Sequence, residues 1–158
     1  IALSFIENSE DAGLLYWTGA ALAKWISFAK GNPVLLIRLP EIKLFMTRAL
    51  ELDSNFDLGA IHEVLVTYEA QVSKDTTQAL KHYQQALEAS KGQRASVYLT
   101  YAESFSLPRE NKTEFLSYLQ KVKGFDIDAY PEQRLTNAIT MQRAEYLLSK
   151  LDELFIEE

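Results

Sequence analysis

Apolar residues recur along this chain at helical spacing, and polar caps and glycines punctuate them. From Pro40, the positions Ile42, Phe45, Met46, Ala49 and Leu50 fall on one helix face. The pattern returns in Ala79, Leu80, Tyr83, Ala86 and Leu87, then in Ala95, Tyr98, Leu99, Ala102 and Phe105, and again in Phe115, Leu119 and Val122. A first helix is expected from about Asp11 to Lys30, where Gly31-Asn32-Pro33 is a stop signal. Val34 to Leu39 then reads as a connector to Pro40, whose missing N–H suits a first helical position. Asp53 to Asp57 reads as a turn, and a third helix follows through about Gln71. Asp75-Thr76-Thr77-Gln78 and Asn111-Lys112-Thr113-Glu114 have capping-box spacing and open two further helices, which Gly92 and Gly124 end. Between them a helix stops before Pro108. A last helix starts at Pro131 and is expected to reach Phe155. The pattern predicts seven helices and no strand, an all-α chain.

Three of these helices end alike, in Phe45 to Leu52, His82 to Ala89 and Tyr118 to Gly124, with Ala49, Ala86 and Val122 as equivalents. The spacing is slightly above the period of about 34 residues of tetratricopeptide helix pairs. One such pair cannot bury its apolar face alone, so pairs stack into a shared core. The expectation is a single domain over 1–158, a tetratricopeptide-like solenoid of about three helix pairs (roughly 11–52, 57–91 and 93–124) with a terminal helix over 131–156. Small residues at inward positions (Ala20, Ala49, Ala79, Ala86, Ala95, Ala102) allow close helix packing. Asp152, Glu153, Glu157 and Glu158 make the last helix polar, as a cap should be. Such a fold holds a ligand or a partner.

With 158 residues, 47% of them hydrophobic, the chain suffices for one core. Its net charge of −6 makes nucleic-acid backbones and anionic membrane surfaces poor partners. The absence of cysteine excludes disulfides and thiolate chemistry. The longest apolar stretch, around Ala20 to Ala29, is broken by Lys24 and falls short of the roughly 20 residues a membrane span needs. The chain begins at Ile1 rather than Met, which leaves a targeting signal upstream open.

Candidate chemistry is sparse. His62-Glu63 starts like a zinc-protease H-E-x-x-H, but Val66 occupies the second histidine position. His62 therefore reads first as a histidine hydrogen-bonded within a helical pair, and His82, on a charged face, as exposed. No nucleophile elbow or phosphate loop occurs, and six glycines leave little material for one. Asn111-Lys112-Thr113 matches a glycosylation acceptor as well as a helix cap. Most carboxylates read as solvated. Glu103 is the exception, near Tyr98, Leu99, Tyr101 and Phe105, where a buried charge needs a partner such as Arg134 or Arg143, or a ligand. Tyr16, Trp17, Trp25, Tyr68, Tyr83, Tyr98 and Tyr101 sit mostly on first helices, where they are either core or binding wall. No catalytic residue, metal ligand or cofactor site is expected.

Several segments resemble the T component of TRAP transporters. These are Tyr16 to Ile26, Leu50 to Asp53, Gly59-Ala60-Ile61-His62-Glu63, Tyr101-Ala102-Glu103-Ser104 and Glu114-Phe115. The most specific are the C-terminal runs Arg134 to Ala138, Gln142 to Leu148 and Leu151 to Phe155. They occur in order over nearly the whole chain. Val122 to Phe125 departs from the pattern, since an alanine–leucine pair would be typical there. The resemblance implies a periplasmic, lipid-anchored, non-enzymatic helical-repeat protein. It would associate with the solute-binding protein of the transporter, form homo-oligomers, and hold a small organic or apolar solute. On that reading Trp17, Trp25, Tyr98 and Tyr101 supply apolar contact, and His62, Glu103, Asn137 and Arg143 set polarity. The rival is a generic tetratricopeptide adaptor gripping a peptide, although the first helices carry few of the Lys and Asn side chains that such a clamp uses. An enzyme ranks third, for want of nucleophile–base spacing.

Overall fold

A computed structural model describes residue 3 and residues 5–29 and 31–155. The described residues are helical, with no strand among them. A short 3₁₀ turn, Ser9–Asp11, leads into α1 (Ala12–Phe28). The expected end of this helix at Lys30 lies outside the described residues. The predicted connector after it holds a short helix of its own, α2 (Pro33–Leu36), because Asn32 caps the Val34 N–H and Pro33 fits the first turn. Next come α3 (Leu39–Leu52), α4 (Ala60–Tyr68) and α5 (Thr76–Ser90), the last capped by Asp75, whose carboxylate accepts the Gln78 N–H. After α6 (Ser96–Tyr101), Asn111 caps α7 (Lys112–Lys123) through the Glu114 N–H. The last long helix is shorter than the sequence predicts. A 3₁₀ turn, Pro131–Gln133, leads into α8 (Arg134–Ser149), and the chain breaks at Lys150 before α9 (Leu151–Leu154). The predicted acidic positions 157 and 158 lie outside the described residues.

α4 and α6 both end in a π turn, Glu69–Ser73 and Ala102–Ser106, each beginning just after a tyrosine. A π turn adds a residue to the helical ring and re-aims the side chains it carries, and such turns concentrate at functional sites.

The helices pack in sequence order. α1 lies on α3, α4 on α5 and α6 on α7, while α3 meets α4 and α5 meets α6. One apolar cluster joins α1, α3 and α4 through Leu15, Leu22, Ile42, Met46, Ile61 and Leu65. A second joins α6, α7 and α8 through Leu99, Phe115, Leu119, Ala144 and Leu147, with Phe155 closing it. A small third cluster of Val66, Ala79 and Phe105 connects them. Ala49, Ala86 and Val122, equivalent by the repeat spacing, are all completely buried. Each large aliphatic or aromatic side chain so buried contributes on the order of 1.5–3 kcal/mol.

At Gly19, α1 approaches α3 closely. A Cβ there would stand 2.7 Å from Met46 Cε and 3.1 Å from Phe45 Cβ. Gly19→Leu is therefore expected to push the two helices apart and destabilise the protein by about 1–3 kcal/mol. Urea unfolding followed by far-UV circular dichroism measures it, and an unchanged midpoint would contradict the packing described.

Candidate functional site

Three features carry unusual chemistry or shape: a groove, a buried polar lock and a histidine pair.

The groove lies between α1, the start of α3, and α4 with its π turn, and encloses about 440 Å³. That falls within the range of small-molecule sites, about 300–1,000 Å³. Ile26, Ile42, Val64 and Tyr68 give it an apolar lining. Ala20 and Ala23 make room, because a methyl group is all they place between α1 and the opposite wall. The π turn brings Gln71 and Val72 to the edge, and Lys24 completes the polar side.

The lock centres on Arg94, in the loop between α5 and α6. Its Nε donates to Glu63 Oε1 at 2.8 Å, and its terminal nitrogen donates to Asp57 Oδ2 at 2.7 Å, the Asp57 carbonyl at 3.0 Å and Gln133 Oε1 at 3.2 Å. Gln133 returns a bond to Asp57 Oδ1, and Ser96 and Thr100 donate to Glu63. Burial pushes the Glu63 carboxyl up from its ordinary value, while Arg94 and the two hydroxyls pull it back. Beside the lock, Asn137 accepts the Ala95 N–H and donates to the Gln93 carbonyl, tying α8 to the same loop. Asp57, Leu58 and Gly59 all have positive φ, at 41°, 53° and 91°. For non-glycine residues such backbone costs of order 1–3 kcal/mol each and persists only where its surroundings hold it. At Gly59 a Cβ would also meet the Ala86 backbone at 3.2 Å.

His62 and His82 face each other across α4 and α5, with Nδ1 atoms 3.0 Å apart. One ring donates and the other accepts, so the accepting ring is neutral in this contact. His62 is buried and hydrogen-bonded within a helix pair, as the sequence suggested. His82 is not on an exposed face: it is half-buried, because α5 turns it inward onto His62. Burial, then the neighbouring ring, lowers His62 from 6.5 to about 4, and burial also lowers His82. A polar cavity of about 340 Å³, lined by Ser54, Asn55, Gln85 and Glu88, adjoins His62.

The eight predicted site residues do not converge on one place. Trp17 and Trp25 are exposed by 66% and 53% on the outer face of α1. Tyr101 lies within an aromatic cluster, stacked on Tyr118 at 4.1 Å and touching Tyr83 and Phe105. Tyr83 belongs to α5, a second helix of its pair, rather than to a first helix. Tyr98 borders Phe125 and Lys121. Glu103 is not interior: it is half-buried and pairs with Arg143 at 2.7 Å near the surface, whereas Arg134 pairs with Asp128. Asn137 is completely buried and structural in its contacts. The buried carboxylates are instead Glu63 and Glu69, the latter held by Lys43 at 2.8 Å. Sequence reasoning missed Arg94, Asp57 and Gln133. The one signal for Glu63 is its place within the apolar run Ala60 to Val66.

The arrangement defines a class: an all-helical protein with an open apolar groove and a buried polar lock. A model of the TRAP transporter T-component family matches residues 4–155, and the chain belongs to that family of accessory transporter components. The chain is also similar to an uncharacterized protein of Treponema pallidum (strain Nichols), 20% identical over 151 residues that make up 93% of this chain and 47% of that protein. It thus spans about half the length of that relative. No described helix is long and apolar enough to cross a membrane.

Arg94→Met leaves Glu63 buried without its cation, and is expected to cost about 3–5 kcal/mol in urea unfolding. Replacing both residues by Met removes the stranded charge and recovers much of that loss; an equal loss in the double variant would show that the ion pair is not the cause. The histidine pair gives a pH dependence. A histidine kept neutral by the fold stabilises it fully above the unfolded value of 6.5, and the contribution is lost as pH falls toward about 4. The urea midpoint should fall over that window, and His62→Gln should flatten the slope.

Proposed function

We propose that this chain is the non-enzymatic accessory component of a TRAP-type solute transport system, a periplasmic scaffold that docks the solute-binding protein. Family membership over residues 4–155 carries the reading. The surface supports it. Leu14, Trp17, Trp25 and Phe28 are exposed within an arc of about 80° on α1 at 100° per residue. Val34 and Ile37, in and just after α2, are exposed as well. An exposed patch of this kind, rich in tryptophan, has the composition of a protein-interface hot spot.

On this reading the pairs α1/α3, α4/α5 and α6/α7 stack as a tetratricopeptide-like solenoid capped by α8, and the groove holds the apolar part of a small organic solute. A second ridge on α8, with Leu135, Ile139 and Tyr146 exposed, suits contact with another copy of the chain. An N-terminal lipid anchor in the full precursor would hold the scaffold at the membrane.

Sedimentation or pull-down with the cognate solute-binding protein tests the docking. A complex is expected, with Trp17→Ser/Trp25→Ser weakening it by tenfold or more, in line with losses of about 2 kcal/mol at hot spots. No complex at high micromolar concentration would remove the partner from the reading.

A further inference from the structure

Among the described residues lining the groove, Lys24 is the one ionic side chain, and it is a cation in a chain of net charge −6. Its ammonium stands 4.8 Å over the exposed Phe28 ring and makes no carboxylate contact among the described residues. The neighbouring buried carboxylate, Glu69, is already neutralised by Lys43. The groove is therefore an apolar trough whose lining carries one uncompensated cationic side chain, Lys24 on α1, and one amide, Gln71 on the π turn after α4.

We propose that this groove binds one single-chain monoanionic amphiphile, its tail between α1 and α4 and its carboxylate at Lys24 and Gln71. This deepens the solute reading given above and rests on it. Two properties select this occupant. The apolar lining rewards a hydrocarbon tail at roughly fourfold in affinity per buried methylene. The unpaired ammonium favours an anionic head over a neutral or cationic one of the same length. The bounded volume of about 440 Å³ suits one chain in solution rather than a bilayer lipid with two.

Isothermal titration of the whole chain with dodecanoate, dodecanol and dodecyltrimethylammonium, below their micelle concentrations, tests this. Dodecanoate is expected to bind with one-to-one stoichiometry and at least tenfold more tightly than the trimethylammonium. Lys24→Gln should remove the preference of the acid over the alcohol while leaving the alcohol unaffected. Ala23→Phe, which fills the trough, should weaken all binding tenfold or more, with the circular dichroism spectrum as control for folding. Equal affinity for the three head groups, no binding of dodecanoate, or an Ala23→Phe variant that binds as before would overturn the proposal. So would uptake seen only with phosphatidylglycerol vesicles. The partner pull-down is read separately: a complex without dodecanoate binding removes the amphiphile and leaves docking, and the reverse result removes docking and leaves the groove.

Discussion

The Arg94 guanidinium is the constraint on which the middle of this molecule turns. It reaches α4 through Glu63, the turn before α4 through Asp57, and the turn before α8 through Gln133. A buried ion pair gains little net stability, because desolvating two charges offsets most of their attraction. What it supplies here is geometry. Five fixed donors in a plane cannot satisfy a carboxylate, a second carboxylate, a carbonyl and an amide unless all four sit in one arrangement. The positive-φ run Asp57 to Gly59 is held by that requirement, and α4 starts where the run ends. The two large apolar clusters lie on either side, with the small Val66, Ala79 and Phe105 group and the contacts of α6 with α4 and α5 between them. The lock thus orients one half of the core against the other without adding much to its depth.

Legibility in the sequence followed the range of each interaction. Caps are local, and Asp75 and Asn111 each accept the N–H three residues on. The reciprocal half of each capping box is replaced, because the Asp75 and Asn111 N–H groups donate to the Glu69 and Ser106 carbonyls. Periodicity is local too, and the repeated inward positions Ala49, Ala86 and Val122 are buried. The family could be read because its segments are spread in order along the chain. The π turns could not, since an extra residue in a helical ring leaves no compositional trace. Arg94 follows Gly92 and Gln93 at the start of the third expected helix pair, and its partners stand more than thirty residues away. His82 follows Lys81 and precedes Tyr83, so its face looked polar until α4 supplied His62. Glu103 was half legible. Its ion pair forms with Arg143, one of the two partners expected, but the apolar neighbours suggested an interior and the residue is only half-buried, in the π turn that begins at Ala102.

α1 gathers the consequences, because it has three faces with three different duties. Leu15, Leu22 and Ile26 face the core, Ala20 and Ala23 face the groove, and Leu14, Trp17, Trp25 and Phe28 face outward. At 100° per residue these sets divide the helix circumference between them. Its overall amphipathicity is accordingly weak, although it is among the most apolar segments of the chain. Lys24 stands at the boundary between groove and ridge, over Phe28. On the function proposed, anything that draws Lys24 toward the groove withdraws its charge from Phe28 and uncovers more of the ridge that meets the partner. Solute and partner would then be coupled through one side chain on one helix, with no change in the close α1–α3 packing at Gly19.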